Sequence, residues 1–388
     1  MTKNVRTVLF LFVLISFSFA RSEPLDYFKA TYELCEKDFD KIFATLKLKN
    51  PNAQTFQFLY PQGNIKSYFF PSEGLQTNLL VMISGTHGIE GFTGSAVQRY
   101  LLENSIDFKN TGVLMIHGFN LWGFKNLRRV NENNVDLNRN FILDRNHFKS
   151  DDSSYTQLNN FLNPQSEAHP GIWGHTVFVF KALYYIARYS VESLRASILK
   201  GQYSFEKGIF YGGKEPQEQE LMLQQLILKY FAPYKKVFLI DLHTGYGENA
   251  KLHLLAGRST DPNSQELKNV FSADEIDFSD KKKFYAVEGE MATFFAQKVK
   301  EATGAQVTSV IFEYGTMDSQ KIQGSVESLR RMILENQDFH NKQNNAVNAD
   351  VQNLFTEMFY PSSLEWRKSV IAQTDEKMKK IFKFLQAP

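Results

Sequence analysis

Short apolar runs of strand length recur along the chain and predict a buried sheet. NLLVMI at 78–83 lacks polar alternation, which is typical of a strand covered on both faces. GFTGSAVQRYLLEN then predicts a helix, and GVLMIHGF predicts the next strand. VFLIDLH at 237–243 and VTSVIFEYG at 307–315 predict two more strands of the same buried type. A strand, a helix and a strand in succession indicate an α/β fold with parallel neighbours.

Helical patterns surround these strands. The N-terminal segment LDYFKATYELCEKDFDKIFATLK is amphipathic, and so are SVESLRRMILENQ and SLEWRKSVIAQTDEKMKKIFKFL near the C-terminus. Residues 144–171 are polar and predict a loop, whereas HTVFVFKALYYIARYSVESLRASILKG after them predicts a helix. Because no repeat, low-complexity tract or linker interrupts the chain, one domain at 25–386 is expected.

Composition argues against nucleic acid as a partner and excludes an intramolecular disulfide. The 388 residues are 43% hydrophobic and 22% charged, with a formal charge of +2, as in ordinary globular proteins. No run of Lys and Arg marks a basic face, so nucleic acid is not an expected partner. Cys35 is the only cysteine, which excludes an intramolecular disulfide, and its helical context predicts a small buried residue.

The first twenty residues have the layout of a secretory signal peptide. Lys3 and Arg6 precede the apolar stretch VLFLFVLISFSFA, and Ser18-Phe19-Ala20 places small residues at the cleavage-determining positions. The stretch is short for a membrane span, although an uncleaved anchor is the alternative. The expectation is therefore a signal peptide at 1–20, an exported periplasmic or secreted protein, and no stable membrane insertion after cleavage.

Four side chains suited to metal chemistry fall at the ends of three predicted strands. His87 and Glu90 lie in the glycine-rich turn SGTHGIEG, His243 closes VFLIDLH, and Glu313 is near the end of VTSVIFEYG. In an open α/β sheet, ligands bind beyond the carboxyl ends of the strands, where these groups could converge. Two imidazoles and a carboxylate form a usual catalytic zinc set. Taken singly, these residues have other interpretations: His87 as a turn residue, His243 as a core histidine, and Glu313 as a surface acid at the end of a strand.

An Arg-rich polar segment, RRVNENNVDLNRNF at 128–141, offers groups for binding an anion. Arg139 beside Asn138 combines a forked guanidinium with an amide, which together can hold a carboxylate. Arg129 is a second fixed positive charge, suited to an oxyanion. The alternative is a solvated basic loop.

HGIEG, RRVNENNVDLNRNF, DLHTG and IFEYG, in this order, resemble the carboxypeptidase A-like zinc metallopeptidase superfamily. The resemblance covers about residues 55–320 and implies a mixed, mostly parallel central sheet flanked by helices. GQYSFEKGIFYGG at 201–213 and FEYGT at 312–316 are similar to a bacterial branch known mainly as a domain of unknown function. DLHTG is shared with the succinylglutamate desuccinylase and aspartoacylase deacylases, which cleave N-acyl amino acids.

The resemblance implies a metal site. His87, Glu90 and His243 would bind one Zn²⁺ per chain, and Asp136 would orient the ring of His87 from outside the ligand set.

It also implies the groups that act on the substrate. Glu313 would be the general base, and Arg129 would polarise the scissile carbonyl and stabilise its oxyanion. Asn138 and Arg139 would hold a substrate carboxylate. Tyr285, within a Tyr-x-x-x-Gly pattern, fits the family tyrosine that covers the substrate, although its distance from Glu313 along the chain is longer than the family has.

The function implied is a zinc metallocarboxypeptidase-like hydrolase of an amide bond next to a free carboxylate. Its substrate would be a peptide or an acyl amino acid. The first alternative is a deacylase of small N-acyl amino acids, and the second is a zinc-dependent binding protein without turnover. The third ligand follows Asn-Arg at a greater distance than in the digestive carboxypeptidases, so the insert at 142–236 is expected to rebuild the wall of the cleft.

Overall fold

A mixed eight-stranded sheet forms the centre of the part of the chain that the structure describes. The structure, a computed structural model, describes residues 24–74, 77–106, 108–149, 152–280, 289–342 and 347–387. The predicted signal peptide and Tyr285 lie outside these ranges. The strands are β1 Gln54–Tyr60, β2 Gly63–Phe70, β3 Asn78–Ser84, β4 Thr111–His117, β5 Lys236–Gly245, β6 Leu252–Ala256, β7 Ile276–Phe278 and β8 Gln306–Gly315.

The middle of the sheet is parallel, as the apolar runs predict. The strand order is β1-β2-β4-β3-β5-β8-β6-β7, in which β4, β3, β5 and β8 pair in parallel. The strands β1 and β2 add an antiparallel edge, and β6 joins β8 in the antiparallel sense. All seven residues of β4 are buried, consistent with a strand covered on both faces. The predicted fold class, a mixed and mostly parallel sheet flanked by helices, is confirmed.

Helices cover both faces of the sheet. They are α1 Tyr32–Lys47, α2 Gly91–Asn104, α3 Leu121–Lys125, α4 Ser153–Leu162, α5 Ile172–Tyr189, α6 Val191–Leu199, α7 Glu218–Tyr230, α8 Pro262–Leu267, α9 Met291–Thr303, α10 Ile322–Asn341, α11 Ala349–Phe359 and α12 Leu364–Gln386. Short 3-10 turns occur at Pro24–Tyr27, Gly88–Glu90, Leu137–Arg139 and Arg145–Lys149. No helix within the described ranges has the length and apolarity needed to span a bilayer.

One prediction of local structure is wrong. Residues 144–171 were expected to form a loop, but they contain a 3-10 turn and the helix α4. The side chains of Tyr155, Leu158 and Leu162 are spaced by three and four residues and are all buried. This helical spacing outweighs the polar composition of the segment, because the apolar face packs on the core.

The insert at 142–236 folds mainly as four helices. The long helical pattern after residue 171 divides at Ser190, which has a positive φ of 66° and whose side chain caps the start of α6. The helix α7 follows and leads into β5. Cys35, on α1, is fully buried, as its amphipathic context predicts.

Candidate metal centre

The parallel register of the central strands brings the predicted groups to one edge of the sheet. His243 on β5 pairs directly with Glu313 on β8, and β3 ends at Ser84, opposite Leu242. His87 and Glu90 follow β3 within six residues. The carboxyl ends of three parallel strands therefore supply all four side chains, as the topology of open α/β sheets favours.

The turn HGIEG depends on close backbone contact with α3. His87 precedes the 3-10 turn Gly88–Glu90, and Glu90 then precedes α2. A Cβ atom on Gly88 would lie 2.1 Å from the carbonyl carbon of Gly123. Only glycine fits this contact, which fixes the turn where His87 and Glu90 face the sheet edge.

The three predicted metal ligands form a tight buried group. The Nδ1 atom of His87 lies 2.8 Å from Oε1 of Glu90, and Nδ1 of His243 lies 2.9 Å from Oε2 of the same carboxylate. The two Nδ1 atoms are 3.1 Å apart. The three side chains are at most 4% exposed. Two imidazole nitrogens and one carboxylate thus point at a common centre.

Each histidine is held from behind by an aspartate. The Nε2 atom of His87 contacts Oδ1 of Asp136 at 3.0 Å, which is the contact that the predicted role of Asp136 requires. The Nε2 atom of His243 contacts Oδ2 of Asp241 at 2.7 Å, and Thr86 donates to the other oxygen of Asp241 at 2.8 Å. Such carboxylate partners orient metal-ligating histidines and raise their basicity.

Asp241 is a site residue that the sequence analysis missed. It precedes His243 by two positions on β5, so the two side chains lie on the same face of the strand. The available signal was an aspartate inside the otherwise apolar run VFLIDLH. A buried acid at that position requires a partner, and the histidine two residues later provides one.

Arg129 joins the two acidic parts of the cluster. Its Nε donates to Asp136 at 3.0 Å and its Nη1 donates to Glu90 at 3.1 Å. Glu90, Asp136 and Asp241 are three carboxylates, and Arg129 is the one guanidinium hydrogen-bonded to them within the described chain. When both histidines are neutral, as metal binding requires, these three carboxylates and one guanidinium carry a net charge of −2, which favours a divalent cation.

The donor set fits zinc. Histidine nitrogens and one carboxylate are ligands that Zn²⁺ prefers, and three protein ligands leave a position open. The aspartates leave Nδ1 of each histidine as the atom directed at the centre. His87, Glu90 and His243 would therefore be the residues that hold the ion.

The pKa values in the cluster reflect strong pairing. Burial by itself would raise the pKa of Glu90, but the charges and hydrogen bonds of His87 and His243 outweigh it and hold the pKa well below its usual range. Burial also opposes the charged form of His243, yet Asp241 and Glu90 raise its pKa well above the usual value. The pKa of Asp136 is lowered against burial by Arg129 and His87. In the metal-free site, Glu90 and Asp136 therefore remain ionised and His243 remains protonated over a wide pH range.

Glu313 has the opposite character. It is buried beside the cluster, and one carboxylate oxygen accepts a hydrogen bond from the backbone N–H of Tyr246 at 2.8 Å. Burial, reinforced by the negative charge of Glu90, raises the pKa of Glu313 to about 8. A carboxyl group that holds its proton near neutral pH, next to a metal-type cluster, is suited to proton transfer.

Asn138 and Arg139 lie in the same cavity, where they also have structural contacts. The Oδ1 atom of Asn138 accepts from the backbone N–H of Met291 at 2.9 Å. Arg139 donates from Nε to the carbonyl of Leu199, on the insert, and from Nη1 to the carbonyl of Asn138, both at 2.9 Å. A guanidinium has five N–H donors, so donors remain for a ligand. The geometry brings together every predicted site residue except Tyr285, which lies outside the described residues.

A cavity of about 250 Å³ connects these groups. His87, Glu90, Arg129, Arg139 and Glu313 line its polar end. The rest of the wall is largely apolar and comes from the insert helices α5 and α6, from α10 and from the end of α11. The insert therefore forms part of the cavity wall.

The family model described as a protein of unknown function, DUF2817, matches residues 68–373 of the sequence. The chain belongs to the DUF2817 family. The predicted bacterial branch of unknown function is thereby confirmed for this DUF2817 protein. A comparison with curated proteins finds no match to it.

Solved structures to which the DUF2817 chain is similar have names from the predicted superfamily. The bovine thrombin-activatable fibrinolysis inhibitor is 12% identical, with a TM-score of 0.45 over 80% of this chain and 97% of that chain. Carboxypeptidase A from Helicoverpa armigera is 13% identical, with a TM-score of 0.42 over 93% and 78%. An aspartoacylase family protein from Mesorhizobium loti is 10% identical, with a TM-score of 0.33 over 73% and 67%.

The Asp241→Asn variant should weaken zinc binding about 10- to 100-fold, because the amide orients His243 without raising its basicity. Wild type should bind one Zn²⁺ per chain, and competition with a chromogenic chelator measures both dissociation constants. Asp350→Asn, at an exposed position, is the matched control and should bind zinc like wild type. An unchanged dissociation constant for Asp241→Asn would show that Asp241 does not support a metal ligand.

The metal-free Glu313→Gln variant should be more stable than metal-free wild type, by a margin that grows as the pH rises from about 5 to about 9. The folded-state pKa of about 8 exceeds the unfolded value of about 4.3. Between these values the folded protein binds more protons than the unfolded chain, so the stability of wild type falls with rising pH. Thermal unfolding in chelator, followed by circular dichroism, measures the difference. Parallel pH profiles would contradict the raised pKa.

Proposed function

We propose that this protein is a zinc-dependent hydrolase of an amide bond next to a free carboxylate, similar to a metallocarboxypeptidase. The observation that carries the proposal is the position of Glu313. Its carboxyl group, with a pKa raised to about 8, faces the same cavity as the His87–Glu90–His243 group and Arg129. A binding site for a metal requires the ligands alone, whereas an amide hydrolase also requires a base and an oxyanion partner.

Glu313 would move the proton. A bound Zn²⁺ ion supplies Lewis acidity, which polarises a carbonyl and makes water more acidic. The positive charge of a Zn²⁺ ion held by His87, Glu90 and His243 would also favour the ionised form of Glu313. The pKa of Glu313 would therefore fall from its metal-free value. The carboxylate of Glu313 then takes a proton from the attacking water and gives it to the leaving amine. The hydrogen bond from the N–H of Tyr246 holds one carboxylate oxygen during both transfers.

Arg129 would stabilise the negative charge that develops on the carbonyl oxygen. Its hydrogen bonds to Asp136 and Glu90 hold the guanidinium in place, so little reorganisation is needed during the reaction. Asn138 and Arg139 would bind the substrate carboxylate and thus place the amide bond between Arg129 and Glu313.

A deacylase of N-acyl amino acids is the alternative that one observation favours. Helices of the insert form part of the cavity wall, and Arg139 donates to the carbonyl of Leu199 within that insert. A cavity enclosed in this way suits a small substrate better than a long peptide. A non-catalytic zinc-binding protein is the remaining alternative.

The central experiment offers mixed peptides, peptidoglycan fragments and N-acyl amino acids to zinc-loaded protein and identifies products by mass. Release of a free amino acid from one of these mixtures supports the proposal. Zinc binding without any product would instead favour the non-catalytic alternative.

The Glu313→Gln variant should retain zinc and lose about 10²- to 10⁴-fold in kcat, because an amide can neither accept nor relay the proton. Metal content and kcat on the substrate so identified are the two measurements. A variant with more than about a tenth of the wild-type kcat, a loss below about 1.4 kcal/mol in barrier, would exclude Glu313 as the base.

Amidation of the substrate carboxylate should impair wild type far more than it impairs Arg139→Ala, which has already lost the partner. The coupling between the two changes should exceed about 1.5 kcal/mol, as expected for a charged hydrogen bond. Since Arg139 also holds the backbone of Leu199, the variant's melting temperature must be measured too. The cycle separates the two roles, because a purely structural role of Arg139 predicts additive effects on kcat/KM.

A further inference from the structure

The cavity next to the candidate metal centre is chemically asymmetric. The candidate ligands, Arg129 and Arg139 form one part of it, while the remaining wall is built largely from aliphatic side chains of the insert and α10. Representative residues of this apolar wall are Ile186, Leu194, Ile198, Val326, Leu329 and Met332. Ile186, Leu194, Val326 and Leu329 remain partly exposed because they face the cavity. Aliphatic side chains in such positions gain free energy when an apolar ligand covers them.

Arg195, the guanidinium on the apolar side of the cavity, has hydrogen bonds that tie the insert to the rest of the wall. Its Nη2 donates to the carbonyls of Ser319 and Gln320 at 2.9 and 3.2 Å, and its Nε donates to the hydroxyl of Ser325 at 3.2 Å. The guanidinium therefore connects α6 to the segment between β8 and α10.

The two arginines near the centre indicate which part of a substrate would meet the apolar wall. Arg139, the proposed carboxylate partner, contacts Leu199 and lies 5.7 Å from the ring of Phe210. Arg129, the proposed oxyanion partner, lies 5.5 Å from Phe210 and 6.0 Å from the ring of Phe359 at the end of α11. Phe210 lies near both arginines, whereas Phe359 on α11 lies near Arg129, on the carbonyl side of the amide where the acyl group would lie. The helix α10 packs on α11 and extends the apolar wall from there.

We propose that the substrate carries a long aliphatic acyl group, so that the enzyme releases a fatty acid from an N-acyl amino acid. This inference rests on the proposed function and narrows its substrate class. The cavity of about 250 Å³ exceeds the roughly 150 Å³ that accommodates benzene in an engineered apolar cavity, so the space suits a longer chain. The reaction adds water across the amide bond and yields a carboxylate and an amine, without any redox partner.

The test measures kcat/KM for N-acyl alanines with acetyl, butanoyl, octanoyl and dodecanoyl groups below their micelle concentrations. Each buried methylene adds at most roughly fourfold, so the six extra methylenes of octanoyl can add up to about 4,000-fold in kcat/KM. Because burial need not be complete, a preference of octanoyl over acetyl of about 100-fold or more is the expected result. Peptides that end in Leu or Phe form the second arm. Equal rates along the acyl series, or a preference that follows the C-terminal side chain of the peptides, would overturn the inference.

Two matched variants locate the chain. Leu329→Trp, on α10, should narrow the apolar wall and lower kcat/KM for dodecanoyl-alanine at least tenfold, with acetyl-alanine changed less than about twofold. Leu228→Trp is a control at an 81% exposed position outside the cavity and should behave like wild type with both substrates. Equal losses on both substrates with Leu329→Trp, at an unchanged melting temperature, would place the chain elsewhere and contradict the inference.

A binding measurement separates this inference from the proposed reaction. Calorimetry with zinc-loaded Glu313→Gln protein and the same acyl alanines should show affinity that increases with chain length. If affinity increases with chain length but wild type shows no turnover, the apolar binding site is supported and only the proposed hydrolase function is refuted. Turnover without any effect of chain length on binding or kcat/KM would refute only the aliphatic acyl group.

Discussion

The shared carboxylate of Glu90 is the contact on which the site depends. Its two oxygens lie within hydrogen-bond distance of Nδ1 atoms from His87 and His243, which come from different parts of the chain. The backbone N–H of Thr244 also donates to Glu90 at 3.0 Å, so β5 is tied directly to the turn after β3. A carboxylate buried to this degree is tolerable only with several partners. The site and the sheet edge are therefore one hydrogen-bonded unit.

Two aspartates orient the histidine rings so that both Nδ1 atoms point at the centre of the site. Asp136 and Asp241 occupy the outer ring nitrogens, and each is fixed by a second donor, Arg129 or Thr86. The resulting excess of negative charge would be costly in a protein interior unless a cation offset it. A divalent ion at the centre satisfies both the charge and the donor geometry. The same charge would change Glu313 from a neutral acid into a base, which links metal binding to proton transfer.

The insert supplies much of the apolar wall of the cavity. Its helices α5 and α6 place aliphatic side chains there, and hydrogen bonds of Arg195 and Arg139 to backbone carbonyls hold α6 in place. The candidate ligands, by contrast, come from the ends of the sheet strands, so the polar end and most of the apolar wall are built by different parts of the chain.

The sequence by itself determined the parallel core, the candidate ligands His87, Glu90 and His243, and the base candidate Glu313, because apolar runs that end in polar side chains are local signals. It could not determine that Asp241 supports His243, since an isolated aspartate in a strand has no partner until the strand is placed. The helix α4 was missed for a related reason: Tyr155, Leu158 and Leu162 form an apolar face whose stability depends on the core it covers. Only the tertiary structure decided the charge balance around Glu90 and the apolar wall of the cavity, because both arise from side chains far apart in sequence whose energies depend on burial and distance.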